Sequence, residues 1–349
     1  RSPRKLPVTP LKRYALSVDQ TSDQEEARLR RLADGVLAGD RTQLARAITL
    51  VESTRREDEA LAQQLLKVVL PATGKSHRIW VSGVPGVGKS TLIERLGGQL
   101  VDKGHRVAVL AVDPSSALTG GSILGDKSRM DTLARREGAF IRPSPSAATL
   151  GGVARRTRET LLLCEAAGFD IVLVETVGVG QSETAARDMV DTFVVLLLPG
   201  AGDELQGIKK GILEVGDVLA VNKADGERVA LARAAARDHE AALRYLRPRD
   251  QHWAPTTVVV SAETGGGIEE LWGKIQQHRA SLVEAGVLER RRGEQASRWM
   301  WSIIEERLMT GFRDHGEVRR LLEALEADVE RGTLPPGAAA DRLLRAYRS

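Results

Sequence analysis

Residues Gly83 to Thr91 read GVPGVGKST, a GxxxxGK[ST] run that follows the apolar segment RIWVS and opens a helix-like segment. In that strand–loop–helix setting the residue types divide the labour. Gly83, Gly86 and Gly88, with Val84, Pro85 and Val87 between them, let backbone N–H groups close around phosphate oxygens. Lys89 reaches the β- and γ-phosphates, the Ser90 hydroxyl is a Mg²⁺ ligand, and Thr91 continues the loop into its helix.

A second constellation, NKAD, places Asn222, Lys223 and Asp225 at the end of another strand-like run. A carboxylate there accepts two hydrogen bonds from the N1–H and exocyclic amine of guanine, which adenine does not offer. A site whose buried polar groups go unpaired with the wrong ligand discriminates by about 10⁴ to 10⁵. Ser261 and Ala262 end the last strand-like run as companions of that base site. Coming after the phosphate motif, NKAD points to GTP/GDP rather than an adenine nucleotide.

Acids complete the set. Asp113 (AVDPSS) and Glu175 (VETVG) end strands, and Asp126 lies in the loop TGGSILGDKSR. Oxygen ligands of this kind suit Mg²⁺ or hold a water. The stretch ETVGVGQSE has the outline of a γ-phosphate-sensing loop, with Gly178 as the sensing amide. Ras-like enzymes follow that glycine with a water-orienting glutamine; here the place is Val179 and the nearest glutamine is Gln181. Glu175 is therefore the first candidate to position the water and Gln181 the second, with hydrolysis kept slow until a partner completes the site.

These groups need a scaffold. From about Arg78 the chain alternates short β-branched runs with helical sequence: RIWVSGV, RVAVLAVD, DIVLVET, TFVVLLLP, DVLAVNKAD and TTVVVSA. Strands buried on both faces by alternating helices make an α/β, doubly wound, mostly parallel sheet, with ligands at the strand C-terminal ends. Before it, Leu29, Leu32, Val36, Leu44, Ile48 and Val51 recur at helical spacing, with Gly39 and Asp40 as a stop and an N-cap. After about Ala280 the strands cease, and Met300, Ile304, Leu308 and Phe312 recur every fourth residue beside Trp299 and Trp301. Packing within the chain and pairing of two chains both explain that stripe. The expected division is 1–24, a transit-peptide remnant or disordered leader; 25–75, a helical segment; 76–280, the P-loop domain; and 281–349, a helical arm.

Composition narrows the classes. No run of about 18 uncharged apolar residues exists among the 349, so no membrane partner is expected. Formal net charge is only +4 and the basic residues are interleaved with acids, which argues against nucleic acid. Arg1, Arg4, Lys5, Lys12 and Arg13 precede the first acid, Asp19, as in mitochondrial leaders. Cys164, the sole cysteine, reads as a packed core thiol, and no histidine pairs at metal-ligand spacing.

Together GVPGVGKST, AVDPSSALTGGSILGDKSRM, IRPSPSAATLGGV, LCEAAGFDIVLVETVGVGQSE, LPGAGDELQGIKKGILE and VNKADG resemble the MeaB/methylmalonic aciduria type A protein family. Its members are G-protein chaperones of adenosylcobalamin-dependent acyl-CoA mutases. The resemblance runs from about Gly39 into the tail, where RWMW and GTLPPGAAADRLLRAY look like the mitochondrial members. It implies a P-loop G domain with an N-terminal helical piece and a C-terminal helical dimerisation arm. It also implies GTP hydrolysis with Mg²⁺, and association with methylmalonyl-CoA mutase so as to gate cofactor loading and protect or reactivate that enzyme. Cob(I)alamin adenosyltransferase is a further candidate partner. The compartment implied is the mitochondrial matrix, the alternative being bacterial cytoplasm.

By position, Lys89 and Ser90 carry over as phosphate-loop contacts. Asp113, Asp126 and Glu175 carry over as metal or catalytic acids, and Asn222, Lys223 and Asp225 as the guanine site. Asp203, Lys209 and Lys210 carry over as a switch coupling nucleotide state to the partner. Ser128 replaces the usual Thr, and Arg187 stands in a normally apolar stretch beside the partner contact of the sensing loop. Competing readings are a P-loop kinase of the amino-acid transport type, which NKAD opposes, and a nickel-enzyme maturation GTPase, which would want a His-rich or Cys-x-x-Cys site.

Overall fold

A computed structural model describes residues 23–113, 130–145, 150–176, 186–200, 215–245 and 251–348. Seven parallel strands form one sheet in the order β3-β2-β4-β1-β5-β6-β7. They are β1 (His77–Gly83), β2 (Val107–Asp113), β3 (Ala139–Pro145), β4 (Ile171–Thr176), β5 (Thr192–Leu197), β6 (Val218–Val221) and β7 (Thr256–Val259). Six coincide with the β-branched runs of the sequence. The seventh, β3, carries Pro143 and Pro145, which cannot donate to a ladder and so break the strand pattern. It occupies the sheet edge, where one ladder is enough.

Two helices, α5 (Asp131–Ala134) and α7 (Val229–Leu243), lie before β3 and between β6 and β7 in the chain, and alternate strand residues enter two layers. Ile79 and Val81 join Leu92, Ile93 and Leu96 of α4 (Lys89–Asp102) and Ile268, Leu271 and Ile275 of α8 (Ile268–Glu284). Trp80, stacked on Phe193 at 6.3 Å, faces the opposite layer. There it meets α1 (Asp23–Leu37), α2 (Arg41–Glu52), α3 (Arg56–Val69) and α6 (Leu150–Ala166). Leu29, Leu32, Val36, Leu44, Ile48 and Val51 are all buried in that layer, so the front helices share the core of the sheet. Asp40 caps α2 as its position suggests, accepting from Thr42 N at 2.7 Å and Gln43 N at 3.0 Å. Cys164 is fully buried, and burial pushes its thiol pKa up. No helix among the described residues is long and apolar enough to cross a membrane.

The chain ends in α9 (Leu288–Asp314), α10 (Gly316–Glu330) and α11 (Pro336–Arg348). The first half of α9 is fixed to the N-terminal edge of the sheet. Arg292 grips Asp191 at 2.6 and 2.8 Å, and the buried Gln295 amide donates to Val190 O at 2.9 Å and Arg187 O at 3.2 Å. The second half is only partly covered: Met300 is 49%, Trp301 58%, Leu308 58% and Met309 50% exposed. Packing within the chain half-buries Ile304 and Phe312, the latter against Tyr347 at 5.3 Å, and leaves Met300 and Leu308 of the stripe half-exposed.

The same sheet edge holds a buried polar chain. His77 Nε2 lies 2.8 Å from Thr192 Oγ1, itself 2.8 Å from His278 Nδ1, while Arg187 makes a bidentate pair with Asp217. Arg187, the departure in a normally apolar stretch after the sensing loop, is thus a buried structural cation. Burial pushes the His77 pKa from its ordinary 6.5 down to about 3, against a smaller opposing pull from Asp191. The folded chain keeps His77 neutral while the unfolded chain takes up a proton below about pH 6.5, so its contribution is complete above that pH and fades as pH falls toward about 3. Unfolding free energies from urea titrations at pH 7.5 and 5.0 are expected to differ by about 2 kcal/mol from this residue, the higher value at pH 7.5. His77→Gln should flatten that difference; a profile unchanged by the substitution would contradict the assignment.

Candidate active site

The topology selects the site. β1 lies between β4, which leads toward β2 and β3, and β5, which leads toward β6 and β7. Crevices at such a reversal of strand order lie at the strand C-termini. At that end of β1 the chain leaves Gly83, turns, and enters α4 at Lys89, whose N-terminal amides and dipole favour an anion. Gly88 caps the helix with φ 98°, in the left-handed region. A Cβ there would stand 2.6 Å from Asn222 Nδ2, so shape and backbone both require glycine. The Cβ position of Gly86 meets nothing within 4 Å, leaving the outer face of the loop open to a ligand.

Lys89 is buried, and its ammonium donates to Gly83 O at 2.8 Å and Val84 O at 3.3 Å. These bonds brace the loop and, among the described residues, leave a third N–H for a phosphate oxygen. Burial lowers the Lys89 pKa, and the nearby Glu175 carboxylate offsets part of that effect. Glu175, at the end of β4 opposite Val81, accepts from Ser90 Oγ at 2.8 Å. Two oxygen donors side by side, next to an ammonium at a phosphate loop, are the donor set a hard cation such as Mg²⁺ takes.

The base side is assembled from β6 and the turn after β7. Asn222 is buried; its Nδ2 donates to Val87 O at 2.7 Å and its Oδ1 accepts from Ala262 N at 3.0 Å. One carboxamide therefore ties the phosphate loop to the base loop. Lys223 has φ 61°, the sole positive value outside glycine among the described residues, a conformation that costs about 1 kcal/mol or more. That turn separates Asn222, directed at the phosphate loop, from Asp225, whose Oδ2 accepts from Ser261 Oγ at 3.1 Å. Ser261 Oγ in turn accepts from Thr264 N at 3.2 Å.

Two supports escaped the sequence reading. Arg228 pairs with Asp225 Oδ1, three residues on, a spacing that could have suggested it. Arg95 of α4 donates to Ala262 O at 3.4 Å and to Glu263 O, across a separation of more than 160 residues that gives no local signal. Asp113 ends β2 as expected, its side chain outside the described residues. Asp126, Gly178, Asp203, Lys209 and Lys210 lie outside them altogether. The described residues hold no group of three or more His, Cys, Asp or Glu arranged for a metal.

Comparison with known proteins identifies a family. Residues 44–317 match the family model described as "Methylmalonyl Co-A mutase-associated GTPase MeaB". A putative GTPase of Caulobacter vibrioides is 54% identical over 312 residues, 89% of this chain and 95% of that protein. The mitochondrial methylmalonic aciduria type A homolog of Mus musculus is 47% identical over 338 residues, 94% of this chain and 81% of that protein. Among solved structures, one described as an LAO/AO transport system kinase superposes with a TM-score of 0.75 at 38% identity. It covers 93% of this chain and 99% of its own.

Replacing Gly88 by alanine forces a left-handed backbone on an L-residue and presses a methyl group onto the Asn222 amide. Binding of a fluorescent GDP analogue to Gly88→Ala is expected to weaken about ten-fold or more, from a strain of roughly 1–2 kcal/mol plus the displaced brace. Unchanged affinity would mean that the phosphate loop does not depend on Asn222.

Proposed function

The chain belongs to the MeaB family of methylmalonyl-CoA-mutase-associated GTPases, and from that premise we propose that it is a slow GTPase that chaperones adenosylcobalamin-dependent methylmalonyl-CoA mutase. In this reading it gates loading of the cofactor and protects or reactivates the mutase. The observation that carries the chemistry is the Ser90–Glu175 hydrogen bond at 2.8 Å beside the buried Lys89, held in register with the base loop by Asn222.

The backbone from Gly83 to Gly88 and Lys89 hold the phosphates, with Thr91 behind them. Asp225, set by Ser261 and Lys223, reads the guanine edge. Asn222 and Ala262 keep the two halves of the site apart by a fixed distance. Ser90 and Glu175, with Asp113 and Asp126 as further candidates, hold Mg²⁺, which when bound neutralises charge on the β- and γ-phosphate oxygens. Glu175 orients the attacking water, and the Gly178 amide senses the γ-phosphate. Val179 in the glutamine position keeps the unaided rate low, so a partner completes the site; groups supplied in trans are worth about 10³ to 10⁵ in such enzymes. Asp203, Lys209 and Lys210 relay nucleotide state to the mutase.

The half-exposed stripe of α9 supports a homodimer formed through α9–α11. In this reading the P-loop domain begins near residue 76 and runs through α8 to Glu284, so the boundary falls a few residues beyond 280, before the helical arm. Cob(I)alamin adenosyltransferase is the second partner in the loading reaction, and the mouse relative's mitochondrial designation supports a matrix location.

GTP turnover measured with and without the mutase tests the central claim, which predicts a rise on complex formation; equal and fast rates in both would defeat it. Within the site, Glu175→Ala is expected to lower turnover about 10²-fold and Gln181→Ala by well under ten-fold, and the reverse order would move the water-positioning role to Gln181. Asp225→Asn exchanges one acceptor for a donor, so GTP affinity should drop about 10- to 100-fold while xanthosine triphosphate, with a carbonyl in place of the exocyclic amine, gains. Failure of that preference to change would remove Asp225 from base recognition.

A further inference from the structure

Away from the nucleotide, a groove of about 1260 Å³ runs between α1, α2, the start of α3, the edge strand β3 and α6. Arg28, Arg31, Arg46, Arg55, Arg142 and Arg156 line it, against two carboxylates, Glu52 and Asp58. Both carboxylates are already engaged. Glu52 pairs with Arg142, and Asp58 accepts from Ser53 Oγ at 2.7 Å and lies 4.0 Å from Arg28. Arg31, Arg46 and Arg156 make no ion pair among the described residues. Deeper in the groove, Arg142 Nε and Gln43 Oε1 are buried and without hydrogen-bond partners.

Elsewhere on exposed helices several arginines pair with an acid about a turn away, as in Arg244–Glu240, Arg320–Glu317 and Arg331–Asp328, whereas the groove gathers arginines from α1, α2, β3 and α6. Guanidinium groups converging from separate elements repel one another unless an anion sits between them. Leu32, Leu50 and Pro143 add carbon surface to the same walls, and Thr42 and Thr54 add hydroxyl donors. Planar guanidinium forks together with hydroxyls suit phosphate, whose three free oxygens accept from several donors at once. The volume exceeds the roughly 300–1,000 Å³ of common small-molecule sites, so a ligand of nucleotide size fits. β3 lies three strand spacings from β1, about 14 Å, so this groove is separate from the GTP site.

We propose that the groove is a second binding site, for a phosphorylated small molecule of nucleoside-diphosphate size, its phosphates held by Arg31, Arg46 and Arg156 and its carbon portion laid on Leu32, Leu50 and Pro143. The test uses the full chain loaded with one equivalent of Mg–GDP and freed of excess nucleotide, titrated calorimetrically with adenosine diphosphate and, separately, with pyrophosphate. Adenosine diphosphate is expected to bind one per chain, more tightly than pyrophosphate, and to weaken as salt rises from about 50 to 200 mM. The double variant Arg31→Ala/Arg46→Ala, at exposed positions, should weaken binding about ten-fold or more while GTP turnover stays within about two-fold of the parent. Lys89→Ala should leave it unchanged. Absence of binding to the GDP-loaded chain, persistence in the double variant, or loss in Lys89→Ala would each overturn the proposal, and equal affinity for pyrophosphate would overturn its organic part.

Discussion

The Asn222 carboxamide is the constraint on which the nucleotide site depends. A nucleotide has a fixed length from base to terminal phosphate, and the groups that recognise its two ends come from different strands: β1 for the phosphates, β6 and the turn after β7 for the base. Sheet ladders hold the strands but not the loops that leave them. Asn222 supplies the missing tie by donating to Val87 O and accepting from Ala262 N in a buried setting where neither bond competes with water. Hydrogen bonds in such a setting cost most when one partner is removed, since the other is left buried and unsatisfied. The requirement for glycine at position 88 and the left-handed Lys223 are both consequences. The first clears space for the amide, and the second turns the chain so that Asn222 and Asp225 point to different tasks.

The opposite edge of the sheet is organised by charge rather than by ligand geometry. Arg187 and Asp217 pair bidentately with both side chains nearly buried, and Asp217 also accepts from Phe193 N at 2.7 Å. Removing one member of such a pair typically costs about 3–5 kcal/mol, because the other charge is stranded. Arg292 spans from α9 to Asp191, the Ser76 carbonyl and the Gly74 carbonyl, and Arg78 forks onto Glu165 at 2.8 Å. The first half of α9 is thereby part of the body, while its second half carries uncovered methionine, leucine and tryptophan. Arg307 of that second half still reaches Glu59 of α3 at 2.6 Å, so the helix presents its exposed apolar side chains from a position fixed against the body.

Much of this was legible beforehand because the physical signals are local. A phosphate loop needs its glycines and lysine within nine residues, and strands buried on both faces write themselves as unbroken β-branched runs. β3 was not legible, since Pro143 and Pro145 interrupt the run and the position at the sheet edge that tolerates them is a property of the assembled sheet. Arg187 read as a departure in an apolar stretch; its meaning came from Asp217, thirty residues on. Arg95 supports the base loop through two carbonyls from a helix far away in sequence. In the motif, Asn222 reads as one member of a base-recognition set; that it also ties the phosphate loop to the base loop depends on where the fold brings Val87 and Ala262.

These contrasts share one cause. Residues that touch a ligand are constrained by the ligand's chemistry, so their types and spacing recur as motifs. Residues that hold those groups in place are constrained only by where the fold brings a partner, so their types are common and their spacing arbitrary. Glu175 belongs to both classes: its place at the end of β4 is written in the sequence, while its bond to Ser90 exists because β4 and β1 are neighbours in the sheet. The reach of the sequence thus ends where side chains act on one another across the sheet, and there the topology takes over as the source of function.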